Sequence, residues 1–233
     1  TMKQVCLLPL LCLASLAQAD DFCVVPNAPI PDNNASGITI PIEVVLGAGE
    51  VIDSIEVNLD IAHPWVGDLV ISLRSPDGTT VTLLDRPGVP SVGFPGPFGC
   101  GGRDLDAVFS DGAGVLGEDV CSFDAQPVIA GAVVPTQPLS AFVGQSAAGM
   151  WELTLSDRSA YDTGVLLEAC LITTTSSVCS PDLNGDGMLD FFDISAFLSG
   201  FTAMDPAADF TGDGQYDFFD VSAFLGAFGA GCP

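Results

Sequence analysis

The chain has 233 residues, 30 of them acidic and five basic, for a formal net charge of −25. So few Lys and Arg exclude proteins that bind by neutralising phosphate, which removes nucleic-acid and anionic-membrane binders. The excess of carboxylates instead favours divalent cations and opposes self-association. Met2 is read as the start, with Thr1 a boundary artefact. Lys3, the apolar run Val5–Leu16 and Ala17-Gln18-Ala19 form a charged n-region, an h-region and an A-x-A cleavage site. Residues 2–19 are therefore expected to be a signal peptide cleaved before Asp20, giving a secreted or cell-surface chain. The run is too short to span a bilayer, and no later stretch reaches about 18 uninterrupted apolar residues. The exported part retains four Arg, no Lys and all 30 acidic residues.

Residues 20–37 read as a Pro/Asn-rich lead-in. From 38 to 174, short alternating apolar runs are split by Gly, Pro and Asp. They predict strands at 38–45, 51–62, 69–74, 79–84, 107–110, 151–156 and 165–174. Val57, Leu59 and Ile61 alternate with Asn58 and Asp60, and Leu69, Ile71 and Leu73 alternate with Val70, Ser72 and Arg74. This period of two, with turn signals such as Ser75-Pro76-Asp77-Gly78, predicts an antiparallel β-sandwich. About 140 residues are enough for one core. Residues 86–103 form a Pro/Gly-rich loop, expected to be pinned by Cys100, and a Thr/Ser linker occupies 175–180.

Residues 181–233 hold two copies of one acidic loop, 27 residues apart. The first is Asp182-Leu183-Asn184-Gly185-Asp186-Gly187-Met188-Leu189-Asp190-Phe191-Phe192-Asp193. The second is Asp209-Phe210-Thr211-Gly212-Asp213-Gly214-Gln215-Tyr216-Asp217-Phe218-Phe219-Asp220. Oxygen-bearing groups at positions 1, 3, 5, 7, 9 and 12, with Gly at 6, are what a calcium ion needs around a tight EF-hand-like turn. Each loop runs into nearly the same helix. Phe191, Ile194, Phe197, Leu198 and Phe201 recur at helical spacing, as do Phe218, Val221, Phe224, Leu225 and Phe228. These two faces are expected to bury against each other. The repeat carries nine Asp and no Lys, Arg or His, so folding should be coupled to uptake of two calcium ions.

Cys6 and Cys12 leave with the signal. The six that remain are Cys23, Cys100, Cys121, Cys170, Cys179 and Cys232, an even number that reads as disulfides in an exported chain. Fifteen pairings are possible. The favoured set is Cys179–Cys232, which brackets the repeat, with Cys100–Cys121 and Cys23–Cys170. With no CxxC and a single His, a zinc site is not expected.

Two resemblances follow. Duplicated loops ending in Asp193 and Asp220, each followed by a helix, look like dockerin modules, which bind cohesin domains on scaffold proteins. The resemblance implies calcium ligands at Asp182, Asn184, Asp186, the Met188 carbonyl, Asp190 and Asp193. In the second loop it implies Asp209, Thr211, Asp213, the Gln215 carbonyl, Asp217 and Asp220. The repeat departs from the family in having Phe-Phe at positions 10 and 11 and no basic residue on its helices. Its Gly231-Cys232-Pro233 ending is similar to a dockerin-like type with an attachment role. The implied partner is a protein on a surface or scaffold, cohesin-like or otherwise.

The front part carries His63, Gly67-Asp68-Leu69, Ser75-Pro76-Asp77-Gly78-Thr79, Gly149-Met150-Trp151-Glu152-Leu153 and Asp162-Thr163-Gly164. This set resembles the P (Homo B) domain, which follows the catalytic domain of kexin- and furin-like subtilisin proteases. The resemblance implies a jelly-roll-like fold and an accessory place in proteolysis. Ala169 stands where that family usually has Trp, and a disulfide at Cys170 is expected to replace the lost packing. No catalytic residue is assigned. His63 could act alone as a base, but a structural place in its loop is expected, with Asp68 ordering the turn. Asp104 and Asp106 could pair as in a glycosidase, but are read as solvated. Asp104, Asp106, Asp111, Glu118, Asp119 and Asp124 could together hold a further calcium. Trp65 could stack on a glycan, but packing is the expected role. A glycan-binding or adhesion module, and a detached piece of a serine protease, are the alternative functions.

Overall fold

The computed structural model describes residues 19–46, 50–89, 98–121, 125–177 and 179–231. Residues 2–18 of the expected signal, 90–97 of the Pro/Gly-rich loop, Asp124 and Cys232 lie outside the described residues. Among the described residues ten strands run in chain order: β1 (Ala19–Val24), β2 (Ala28–Ile30), β3 (Asn34–Val44), β4 (Glu50–Ala62), β5 (Leu69–Arg74), β6 (Thr80–Asp85), β7 (Leu105–Phe109), β8 (Ile129–Val133), β9 (Gly149–Asp157) and β10 (Gly164–Ser177). They are followed by helices α1 (Phe191–Ala203) and α2 (Phe218–Ala230). One sheet has the order β1-β10-β4-β7-β8, with β2 also on β10, and the other has the order β3-β9-β5-β6. Every pair is antiparallel except β7 with β8, which run parallel from Leu105↔Ile129 to Phe109↔Val133.

Alternation along the strands builds one core between the two sheets. Val57, Leu59 and Ile61 of β4, Leu69, Ile71 and Leu73 of β5, and Trp151, Leu153 and Leu155 of β9 all face inward and are buried. Trp151 meets Phe142 edge-on at 5.0 Å, and its indole N–H donates to the Ala147 carbonyl. On β4 the alternation slips between Ile52 and Ile55. A register shift opposite, at Thr174/Thr175 of β10, takes up the extra residue, so both isoleucines stay inside.

The structure corrects the lead-in and the linker. Residues 19–24 and 28–30 form β1 and β2, and β10 runs to Ser177. Cys23 lies opposite Cys170 in the β1–β10 register, and the two form a disulfide. Cys100 and Cys121 form the second. The pairing of Cys179 with Cys232 involves a position outside the described residues. Ala169 and Leu171 face the core, so Cys170 between them points to the opposite side of the strand. The disulfide therefore staples the outer surface of the sheet and does not replace a missing core ring.

A second, smaller core belongs to the two helices. Phe197 and Phe224 stack face to face, with ring centroids 4.1 Å apart, and Phe210 meets both edge-on. Ile194, Phe201, Val221 and Phe228 pack around them. The expected apolar faces are narrower than the sequence pattern. Phe191, Phe218, Leu198 and Leu225 are more than half exposed, because the turn that buries Phe197 and Phe224 points these four outward. No helix of the described residues is long and apolar enough to cross a membrane.

Candidate functional site

The two acidic loops fold by the same local chemistry. In the first, the Asp182 carboxylate accepts the backbone N–H groups of Gly185, Asp186 and Gly187, at 2.8, 3.2 and 2.8 Å, so the chain wraps around one side chain. Asn184 accepts from Asp186 N and Asp186 from Met188 N. In the second loop, Asp209 takes Gly212 N and Gly214 N at 2.9 and 2.8 Å, and Asp213 takes Gln215 N. Gly187 and Gly214 have φ of 78° and 76°, a left-handed bend that favours glycine.

Each loop closes through its twelfth residue. Asp193 is buried; its Oδ2 accepts from Asp190 N at 2.9 Å and its Oδ1 from Asn184 N at 3.3 Å. Asp190 in turn accepts from Phe192 N, so the pair forms a capping box at the start of α1. Asp220, Asp217, Thr211 and Phe219 repeat this at α2, and the Thr211 hydroxyl adds a bond to Asp220 at 2.9 Å. The backbone N–H donors, first that of Asp190 and that of Asp217, hold the Asp193 and Asp220 carboxyls below the usual range, against the opposing effect of burial. The positions expected to act through backbone carbonyls, Met188 and Gln215, stand at the seventh place of each loop.

These loops gather only oxygen donors and carry four Asp each, with no basic side chain after Arg158 to balance them. A hard, multiply charged cation fits such a set; a soft or nitrogen-seeking metal does not. The residue types and glycine positions are those of such a set, while the Asp182 and Asp193 oxygens are turned to backbone N–H donors.

A second constellation lies at one end of the sandwich and gathers His63, Asp68 and Gly164 from three of the front motifs, while Ser75–Thr79 and Gly149 meet at the other end. His63 is buried, and its Nδ1 accepts the Trp65 backbone N–H at 3.1 Å. The proton therefore belongs on Nε2, which donates to Asp157 Oδ2 at 3.2 Å. Gly164 lies against the ring, where a Cβ would come within 2.3 Å of His63 Cδ2, so the Asp162-Thr163-Gly164 motif supplies room for the imidazole. Asp68 is almost wholly buried, with the Arg86 guanidinium 3.7 Å away. Burial first, then the neighbouring Asp157, pushes the Asp68 carboxyl up to about 6, and Arg86 only partly offsets this. The expectation that Asp68 orders its turn is met by its backbone alone: Asp68 N donates to Trp65 O in the 3-10 turn Val66–Asp68, while its side chain faces Arg86. Ser75 holds the β5–β6 turn through Thr79 N and Gln145. His63 and Asp157 show no exposed side-chain surface, so the pair ties its loop into the sandwich.

Three of the remaining acidic candidates have separate structural roles. Asp104 accepts from His63 N and from the Gln126 amide. Asp111 accepts the Leu139 and Ser140 N–H groups that open a 3-10 turn. Glu118 accepts from Asp85 N and Thr136 Oγ1, and burial raises its carboxyl. Trp65 is half-buried, stacked against Gly101, with its indole N–H donated to Phe98 O, which is packing rather than an open platform.

Comparison with known proteins matches part of this arrangement. Residues 52–93 fit the family model of the proprotein convertase P-domain, a segment that contains His63, Gly67-Asp68-Leu69 and the Ser75–Thr79 turn. Over 59 residues the chain is 37% identical to Leupeptin-inactivating enzyme 1 of Streptomyces exfoliatus, covering 25% of this chain and 14% of that protein. Among solved structures, the serine protease of Aeromonas sobria superposes with a TM-score of 0.39 at 17% identity, over 68% of this chain and 27% of that one. The same protease in complex with its chaperone gives 0.40 at 16% identity, over 69% and 26%. The chain thus spans less than a third of the length of each of these proteins.

Proposed function

We propose that the chain is an exported, non-catalytic protein of two modules. Residues 38–174, extended by β1 and β2, form a P-domain-type jelly-roll sandwich acting as a stabilising or targeting accessory in proteolysis by subtilisin-like serine endopeptidases. Residues 181–233 form a dockerin-like module in which two calcium ions order the paired helices and present them to a protein on a surface or scaffold. The observation that carries the first half is the P-domain match at 52–93, in which the buried His63 meets Asp157 beside Asp68. The second half rests on two loops that repeat the same carboxylate-to-backbone bonds 27 residues apart. Asp182, Asn184, Asp186, the Met188 carbonyl, Asp190 and Asp193 would hold one ion, and Asp209, Thr211, Asp213, the Gln215 carbonyl, Asp217 and Asp220 the other. Bound calcium would cross-link each loop and cancel its carboxylate repulsion. Outside the cytoplasm such ions act as permanent staples rather than as a switch.

The docking half is supported by the exposed pairs Phe191-Phe192 and Phe218-Phe219, which stand beside the loops on the solvent side of each helix start. Calorimetric titration of the full chain with calcium tests the metal reading: two ions should bind, and none should bind to the Asp182→Ala/Asp209→Ala variant. Equal binding by both proteins would refute it. The accessory reading is tested by adding the purified chain to an exported subtilisin-type endopeptidase of the same source. A longer thermal half-life supports it, and an unchanged half-life counts against it.

A further inference from the structure

The four-stranded sheet ends in a cavity that none of the roles above uses. It has a volume of about 560 Å³ and is lined by Asn33, Ala35, Val70, Asp85, Arg86 and Arg158. These residues stand where β3 and β5 begin and where β6 and β9 finish, so one end of every strand in the sheet contributes.

Charge is the first observation. Beyond Lys3 the chain has four basic side chains, and two of the four line this one cavity. Arg74 is spent on Glu152 at 3.0 Å. Arg158 is exposed and gives its Nε to Ser156 Oγ; among the described residues no carboxylate lies within ion-pair distance of it. In a protein with 30 carboxylates, an uncommitted guanidinium in a concave site is a selective feature. Arg86 is only loosely paired, with Asp68 at 3.7 Å and the Gly67 carbonyl at 3.4 Å.

Backbone strain is the second and independent observation. Asn33 and Arg86 have φ of 46° and 53°; asparagine adopts this left-handed region readily, so the strain lies at Arg86. Two of the six described non-glycine residues with such a φ thus line the same cavity. Beside it, the β3–β9 register shifts between Asn34 and Ile38, leaving extra residues on β3 folded over the Asn34 side chain. Such strain and bulges are retained where a ligand group has to be aimed.

We propose that this cavity binds a carboxylate borne by a peptide, with Arg158 as the principal cation and Arg86 as the second. The guanidinium forks match a planar carboxylate. The exposed Asp85 at the rim and the overall charge of −25 select a single negative charge over a polyanion. Val70 and Ala35 give the peptide's aliphatic atoms an apolar floor.

The test uses the full chain, amide NMR and three N-acetylated pentapeptides of glycine: one with a central Glu and one with a central Gln, both amidated at the C-terminus, and one without either but with a free C-terminal carboxylate. The Glu peptide or the free-terminus peptide should shift the Ala35 and Val70 amides and bind at least about tenfold more tightly than the Gln peptide. Whichever of the two does so identifies the source of the carboxylate. Arg158→Gln should remove about tenfold of that affinity while leaving the spectrum elsewhere unchanged, and Arg158→Lys should restore part of it. Arg86→Gln is the less direct variant because it also unpairs Asp68. Equal binding of all three peptides, no binding of any, or an Arg158→Gln protein that binds as the parent does would overturn the proposal.

Discussion

Replacing Asp68 with Asn should change how the sandwich depends on pH. The carboxyl is almost wholly buried and its pKa rises from the ordinary aspartate value to about 6, so the folded state binds the proton more tightly than the unfolded chain does. Its contribution is therefore fully present below the unfolded pKa and is lost as pH rises through about 6. At about 1.4 kcal/mol per pKa unit, the full difference is about 3 kcal/mol. Between about pH 5 and pH 8, a window clear of the pI near 4.1, about 1.4 kcal/mol of it is observable. The assay is urea unfolding followed by tryptophan fluorescence. Trp65 and Trp151 are the two tryptophans of the chain and both lie in the sandwich, so the helical repeat is silent. Losing the partner of Arg86 displaces the whole Asp68→Asn curve by a constant, so only its slope is diagnostic. The parent's stability relative to the variant should fall by about 1.4 kcal/mol across the window. A difference that stays constant would refute the assigned environment of Asp68.

Four further outcomes are expected. Chelation of calcium should reduce the helical circular dichroism of the repeat and leave the tryptophan signal of the sandwich unchanged; loss of both signals together would contradict two separate cores. At calcium about a hundredfold above Kd, each bound ion should stabilise the repeat by about 2.7 kcal/mol, read as a rise in its melting temperature. Phe197→Ala removes the ring stacked on Phe224 and should cost about 3–5 kcal/mol, enough to unfold so small a core, which loss of helical signal would report. Cys23→Ser with Cys170→Ser should cost about 5 kcal/mol by loop entropy and Cys100→Ser with Cys121→Ser about 3, because the sequence separations are 147 and 21 residues; urea midpoints in the reverse order would contradict the entropic account.

Strands with an uninterrupted period of two were legible in the sequence. β4, β5 and β9 appear within two residues of their expected ends, and two of the expected disulfides are formed. β1 and β2 were missed because Asp20-Asp21 and the prolines at 26 and 29 read as a solvated lead-in; what makes β1 a strand is pairing with β10, over 140 residues away. β8 escaped because its three middle residues are exposed and its parallel partner is reached only through a long crossover. The acidic loops were readable because each is built from contacts within twelve residues. The His63–Asp157 pair joins positions 94 apart and the Arg86–Arg158 cavity positions 72 apart, so neither leaves a local trace. The exposed Phe191 and Phe218 sit at helical spacing with buried neighbours, and periodicity alone does not tell which part of a broad apolar stripe faces inward.

The Cys23–Cys170 staple also has a mechanical meaning. β10 is the strand that leads into the helical repeat, and Ala19 of β1 lies opposite Thr174 close to its far end. If the repeat is anchored, a pull on it loads β10 from Ser177 inward, and the hydrogen bonds to β1 and β4 open one after another, as a zip does. At Cys170 the disulfide prevents β10 from parting from β1, so from there part of the load passes through Cys23 into the chain that leads to β3. Leu171–Ser177 are thus a seven-residue leader ahead of the point where tension divides between the two sheets.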